Sequence, residues 1–191
     1  RVVSCIVLFH NLWLVGLAAI VCIGGGWVGL RLFRRGRERQ GRQRAGWTFL
    51  AAVATGASVW CTHFIAMLAY DVQAPVTFEP VLTMISLLVV IAGATVAFGV
   101  ANRNDLHSLL GGGALLGLSI SGMHYSGMMA YRIDGLVNWD ASYIVASVII
   151  SMLFGAAAIY ASARRQPLLS LGGFVVAVVG LHFTGMTALT V

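Results

Sequence analysis

Long apolar runs separated by short polar connectors dominate the hydropathy pattern of this chain. An α-helix needs about 20 apolar residues to cross a bilayer, and six runs reach that length. The charged residues gather in the connectors between the runs. This pattern predicts an all-α fold, a polytopic transmembrane helix bundle with six spans at about 12–33, 46–70, 80–101, 108–131, 142–163 and 168–190.

The composition excludes a soluble domain. Apolar residues make up 59% of the 191 positions and charged residues 9%, whereas soluble domains carry roughly 25% charged residues. The three cysteines, Cys5, Cys22 and Cys61, have no CxxC spacing, so a disulfide framework is not indicated. The net charge of +6 could suggest nucleic acid, but seven arginines fall between Arg31 and Arg44, in one connector. Such a cluster is a topology signal, and we expect no nucleic-acid partner.

The connectors alternate in charge. The first, third and fifth together hold ten arginines and two acids, whereas the second and fourth hold four acids and one arginine. By the positive-inside rule the arginine-rich connectors are cytoplasmic. Spans 2, 4 and 6 then run outward, and both ends of the chain lie outside. The acids of the other connectors are Asp71, Glu79, Asp134 and Asp140.

Spacing indicates an internal repeat. Twelve residues separate Met67 from Glu79, and twelve also separate Met128 from Asp140. Residues 10–70, 78–131 and 139–190 therefore form three pseudo-repeated helical hairpins. Such hairpins could bring spans 2, 4 and 6 around one axis, although a sequence shows equal depth and not equal facing.

Each of these three spans carries the pattern His-aromatic-x-small-Met. On a helix, residues four apart share one face, so each pair points in one direction. Imidazole and thioether are uncharged donors that suit copper, with thioether favouring Cu(I), whereas zinc more often recruits Cys or a carboxylate. Haem is less favoured because its axial ligands must come from two helices. Packing is the alternative for each pair taken alone. The candidate ligands are His63, Met67, His124, Met128, His182 and Met186.

Further residues are weaker candidates. Asn11, Glu79 and Asp140 could support the ligands, but each precedes a span and is favoured as a helix N-cap. Tyr70 and Tyr131 lie on the ligand face and could cover the site. Packing is favoured for Met123, Met129 and the glycine pairs Gly25/Gly29 and Gly113/Gly117, and His10 is a weak further ligand. No catalytic constellation stands out, so the domain itself is expected not to be an enzyme.

The segment Met123-His124-Tyr125-Ser126, followed by Gly127-Met128, resembles the MHYT motif of the bacterial MHYT sensor domain. The resemblance covers the whole chain and includes the turn Phe78-Glu79-Pro80. It implies a domain of the bacterial inner membrane, usually with seven spans and fused in cis to a cytoplasmic signalling domain. It also implies copper held by the six His and Met residues near the outer face, and sensing of O2, CO or NO. Residues 1–191 would be one such domain, cut before a seventh span and its effector.

Two functions follow as expectations. The first is a sensory input domain, with the lipid bilayer, a small gaseous ligand and the cytoplasmic signalling domain as partners and homodimerisation left open. The alternative is a copper-handling membrane protein, either a chaperone, a transporter or a small metallo-oxidase. Transport is disfavoured because the pairs all sit at one level of the membrane. A structural anchor whose His and Met residues only pack is the third interpretation.

Overall fold

A computed structural model describes residues 11–70, 76–103, 105–133 and 138–190. All six helices in these ranges are long and apolar enough to span a membrane, which confirms the predicted bundle. Cys5, His10, Asp71 and Asp134, used in the sequence arguments, lie outside the described residues. The helices are α1 (Leu12–Arg37), α2 (Gly41–Ala69), α3 (Pro80–Ala101), α4 (Leu106–Ala130), α5 (Ala141–Ala163) and α6 (Pro167–Thr187).

The largest differences from the predicted boundaries are at the first connector and at the end of α6. Helix α1 continues to Arg37 and α2 already begins at Gly41, so most of the arginine cluster is helical. Arginine is a good helix former, and basic side chains are stabilised near a helix C-terminus. Apolar runs mark what lies in lipid and therefore underestimate these helices. Helix α6 ends at Thr187, three residues earlier than predicted.

Four short strands close the open ends of two hairpins and were not predicted. Strands β1 (Val76–Phe78) and β2 (Tyr131–Ile133) pair antiparallel at the open end of the α3–α4 hairpin. Strands β3 (Asn138–Trp139) and β4 (Leu189–Thr190) pair in the same way beside α5 and α6. Runs of two or three residues are too short to give a periodic signal.

One backbone hydrogen bond recurs in all three hairpins. The N–H of each first-helix N-cap donates to a carbonyl six residues after the histidine of the second helix. These bonds link Asn11 to Ala69 (2.8 Å), Glu79 to Ala130 (2.9 Å) and Asp140 to Ala188 (3.0 Å). The predicted threefold hairpin repeat is therefore present in the structure.

The N-cap interpretation of the polar residues is also confirmed. The Asn11 side chain accepts from the N–H of Trp13 at 3.0 Å, and Asp140 accepts from Ser142 at 2.9 Å. Glu79 accepts from the N–H groups of Val81 and Leu82. These bonds satisfy backbone donors that the first turn of a helix leaves without partners.

The hairpins form an inner and an outer layer. Helices α2, α4 and α6 are more buried than α1, α3 and α5. The arginine-rich connectors meet at one end, where Arg165 lies 3.5 Å from Glu38 and Asn102 Nδ2 donates to Thr48 Oγ1 at 2.8 Å. The core toward that end is apolar, with the rings of Phe33 and Phe98 stacked 4.8 Å apart. The opposite end carries the three His/Met pairs.

Small residues bring the helices close together, as predicted. A methyl group at Gly25 would meet the Ser58 side chain, and one at Gly29 would meet Thr55. At Gly113 it would lie 2.5 Å from the Gly155 carbonyl oxygen, and at Gly117 it would meet the backbone of α5. These glycines therefore set helix contacts within the α1–α2 hairpin and between α4 and α5.

Candidate metal centre

The three histidines of the inner helices converge at the centre of the bundle. His63 lies on α2, His124 on α4 and His182 on α6, and all three side chains are buried. One ring nitrogen of each lies within 4.8 Å of one from both others. The sequence left open whether the histidine-bearing faces of these helices point toward one another. They do, because the repeat turns that face of each inner helix toward the common axis.

The three imidazole rings lie side by side, each steeply inclined to the other two. Ring centroids are separated by 4.9, 5.5 and 5.4 Å, and each pair of rings is inclined at 79°. The Nδ1 atoms of His63 and His124 lie 3.2 Å apart. Two imidazole nitrogens bound to one tetrahedral ion at about 2.0–2.1 Å would be about 3.3 Å apart. This edge of the cluster therefore already has the length that coordination of one ion requires.

The outer nitrogens of two rings lack hydrogen-bond partners. Among the described residues, Nε2 of both His63 and His124 is buried and makes no hydrogen bond. If the two Nδ1 atoms share one proton, one ring presents an Nε2–H and the other an Nε2 lone pair, both unsatisfied. Leaving buried polar atoms unpaired is costly. Independently of these outer atoms, three buried imidazoles with ring nitrogens this close together are a donor set that fits a metal ion.

Glycine lets the inner helices approach these rings. A methyl group at Gly127 would lie 2.6 Å from His63 Nε2, and one at Gly185 would lie 2.5 Å from His124 Nε2. Each glycine stands three residues after a histidine on its own helix, and Ala66 takes that place in α2. The sequence pattern contained this small residue but gave no sign of its role, because the contact is with the neighbouring helix.

The three methionines of the pattern form a second cluster. Met67, Met128 and Met186 are all buried and pack together with Tyr131. They lie one helical turn beyond the histidines, toward the strand-bearing end of the bundle. The structure therefore places imidazoles and thioethers in adjacent layers along one axis. Partly buried aromatic residues packed against this cluster of Tyr131 and the three methionines are Tyr70, Phe78, Tyr125 and Trp139.

The remaining candidates take other positions. Tyr131 is buried beside the methionines, and burial together with the neighbouring Tyr70 raises the pKa of its phenol, which keeps the hydroxyl protonated. Met123 packs in the main core, and Met129 is exposed on the bundle surface. Neither belongs to the methionine cluster, and the predicted packing role in the core is confirmed for Met123 but not for Met129.

The fold is that of a polytopic membrane protein, with a cluster of three buried histidines at its centre. Comparison with protein families identifies the class of protein. The model of the MHYT family, described as a bacterial signalling protein N-terminal repeat, matches residues 56–113 and 117–173. The chain therefore belongs to the MHYT family.

Its relatives are larger signalling proteins. An uncharacterized signaling protein of Caulobacter vibrioides is 33% identical over 196 residues, covering 100% of this chain and 24% of the relative. The bifunctional diguanylate cyclase/cyclic di-GMP phosphodiesterase MucR of Pseudomonas aeruginosa is 30% identical, covering 94% of this chain and 28% of MucR. The cyclic di-GMP phosphodiesterase NbdA of the same organism is 30% identical over 92% of this chain and 24% of NbdA.

The chain thus spans about a quarter of the length of these curated relatives. No solved structure matches it.

Proposed function

We propose that this chain is a sensory input domain that holds copper at His63, His124 and His182 and responds to a diatomic gas or to redox state. The convergence of one buried histidine from each of three repeated hairpins carries this proposal. Three imidazole nitrogens would supply most of the ligands that Cu(I) needs. Bound copper would supply an open coordination position for O2, CO or NO and a change of oxidation state.

The methionine cluster favours copper over zinc. Three histidines are also a common zinc set, so the imidazoles alone leave the metal open. Thioethers select Cu(I), and the chain provides three of them in the adjacent layer. Met67, Met128 and Met186 would then serve as alternative ligands, or as the surroundings that keep the centre apolar.

The hairpin arrangement provides a route for a signal. Each histidine belongs to a different hairpin, so a change in ligand separation must shift one hairpin against another. Gly127 and Gly185 place the backbone of the next inner helix against the rings of His63 and His124, so a ring displacement pushes directly on that helix. A ligand that prefers one of two such arrangements changes their populations and so transmits its presence.

The closed core at the arginine-rich end supports sensing over copper transport. Phe33, Phe98 and Phe174 are fully buried there, and these rings offer no metal donor. A permeation path would need ligands through the depth of the membrane. We therefore place the His and Met clusters near the outer face of the inner membrane and the arginine-rich end in the cytoplasm.

The names of two relatives support a proposal for the output. Both are named for synthesis or hydrolysis of cyclic di-GMP, and this chain aligns with about a quarter of each. We infer that the domain regulates an enzyme of that class fused to it in cis.

A cellular assay tests this function. Cyclic di-GMP is measured in cells that express the intact gene product, with copper supplied or chelated. We expect the level to depend on copper for the wild type and for His107→Ala, an exposed control histidine, but not for His124→Ala. A wild-type level that stays the same with and without copper would contradict the proposal.

A further inference from the structure

Three seams surround the inner helices, where each inner helix meets the first helix of the next hairpin. They are formed by α2 with α3, by α4 with α5, and by α6 with α1. The α6–α1 seam has the smallest interface of the three. The repeat makes the seams comparable position by position, because the N-caps Asn11, Glu79 and Asp140 mark equivalent starting points.

Two seams are closed by a hydrogen bond between an aromatic side chain and a buried serine. In the first, Trp60 Nε1 donates to Ser86 Oγ at 3.2 Å. In the second, the Tyr125 hydroxyl lies 2.6 Å from Ser147 Oγ. Both serines are fully buried and stand seven residues after their N-caps, Glu79 and Asp140.

The α6–α1 seam cannot form this bond. Seven residues after Asn11 the chain has Ala18. On α6, Val179 stands three residues before the histidine, as Trp60 does on α2, and Phe183 stands one residue after it, as Tyr125 does on α4. None of these three side chains can form a hydrogen bond, and all three line a cavity of about 110 Å³ that lies at this seam and reaches all three histidines of the cluster.

The walls of this cavity select an apolar guest. Apart from the imidazoles and Thr62, its lining side chains are aliphatic or aromatic or contain a thioether. A buried water needs two to four polar partners, whereas apolar cavities of similar size (about 150 Å³ in one engineered case) stay dry and bind xenon or benzene. The cavity holds only a few atoms, which excludes ligands of metabolite size.

We propose that the cavity at the α6–α1 seam is a binding site for a small uncharged apolar molecule of the diatomic-gas class. Such molecules favour the bilayer interior over water, so they would reach the histidine cluster sideways through this seam. The cavity itself does not depend on metal. The claim that its guest then meets a metal ion rests on the proposed function.

Xenon is the probe for the first test, applied to metal-free protein in detergent and followed by ¹²⁹Xe NMR. We expect saturable binding to the wild type. Ala18→Leu should weaken it roughly tenfold or more, because the added carbon atoms occupy the cavity. The matched control Ala92→Leu changes an exposed residue of α3 and should bind xenon as the wild type does. Saturable binding that Ala18→Leu leaves unchanged, or binding absent from the wild type, would overturn the proposal.

A second variant controls for a folding defect by introducing a side-chain pair that the chain already contains at another seam. The double substitution Ala18→Ser with Phe183→Tyr copies the Tyr125–Ser147 pair into the open seam. We expect it to raise the unfolding temperature and weaken xenon binding, with Phe183→Tyr alone as its control. Xenon binding that appears only after bound lipid is removed would identify an acyl chain as the occupant and also overturn the proposal.

Measurements on metal-loaded protein distinguish the proposed copper site from the proposed apolar cavity. If copper binds as proposed, Ala18→Leu should slow CO association without lowering the metal content. If no copper binds, the xenon measurement still tests whether the cavity binds an apolar molecule. Normal copper content with CO association unchanged by Ala18→Leu would refute the seam as the route and leave the metal centre standing.

Discussion

Single small residues determine how the histidine rings sit. The backbone at Gly127 faces His63 Nε2, and the backbone at Gly185 faces His124 Nε2, at distances that leave no room for a methyl group. The rings of His63 and His124 are therefore held in place by the neighbouring helix. A histidine that depends on such a contact for its orientation should bind a metal ion more weakly when the contact changes.

Gly127→Ala tests this contact. The new Cβ would lie 2.6 Å from His63 Nε2, so the ring must turn away from its position in the cluster. We expect the affinity for Cu(I), measured by competition with a chromophoric chelator, to fall about 10–100-fold, as for other residues that orient a metal ligand.

Gly111→Ala is the control, because a methyl group at that position of the same helix meets nothing within 4 Å. Equal copper affinity for Gly127→Ala and wild type, in well-folded protein, would show that the glycine does not position the ring.

The spacing of residues made part of this site predictable. Three His/Met pairs at spacing four predict which face of each inner helix carries the candidate ligands, since helix periodicity fixes which residues share a face. The same periodicity cannot show that Gly127 touches His63, because that contact joins residues 64 positions apart on two different helices. Nor does it show the edge between two Nδ1 atoms, which depends on side-chain rotamers.

Helices α4 and α5 pack through backbone contact. A methyl group at Gly113 would lie 2.5 Å from the Gly155 carbonyl oxygen and from the Cα of Ala156. Lipid tails are as apolar as leucine side chains, so close backbone approach replaces hydrophobic burial as the source of helix association. The three consecutive glycines that begin at Gly111 do not contribute equally, because Gly111 faces open space.

Gly113→Ala and Gly111→Ala form a matched pair for this element. Overpacking at Gly113 should lower the free energy of unfolding by about 1–3 kcal/mol, whereas Gly111→Ala should leave it unchanged or raise it slightly. Equilibrium unfolding in mixed detergent micelles measures both. Equal stability of the two variants would contradict the proposed α4–α5 contact.

The existence of the helices and most of their ends were predictable from the sequence, whereas the ends beside the first connector were not. Apolar length alone gives all six helices, because a membrane span must satisfy its backbone internally. Arginine-rich turns at Arg34–Arg37 extend α1 beyond the apolar run and so escape a criterion based on hydropathy. The strands are stabilised by pairing between the ends of a hairpin, which a single short run cannot reveal.

The six helices form an approximate threefold ring in which the α6–α1 seam lacks the aromatic–serine hydrogen bond of the other two. Repeated spacings in the sequence indicate the threefold order, and the recurrent N-cap bonds to Ala69, Ala130 and Ala188 confirm it. Two residues of this seam depart from the symmetry: Ala18 stands where the other seams have Ser86 and Ser147, and Phe183 stands where α4 has Tyr125. Sequence alone does not mark them, because each is an ordinary apolar residue in an apolar helix.

Orientation in the membrane is the prediction at this scale. In a cysteine-free background, single substitutions Arg39→Cys and Ala141→Cys place thiols at exposed positions at opposite ends of the bundle. We expect a membrane-impermeant maleimide to label Ala141→Cys in intact spheroplasts and Arg39→Cys only after permeabilisation, because arginine-rich connectors remain in the cytoplasm. The reverse labelling pattern would invert the assignment of the His and Met clusters to the outer face.

X-ray absorption at the copper K edge, on purified protein loaded with Cu(I), tests the metal centre most directly. We predict about one retained copper per chain with imidazole nitrogens at roughly 2.0 Å. The signal should persist in His107→Ala and be lost, together with the copper, in His63→Ala and His124→Ala. Failure of the wild type to retain copper, or copper bound by sulfur without imidazole, would contradict the account.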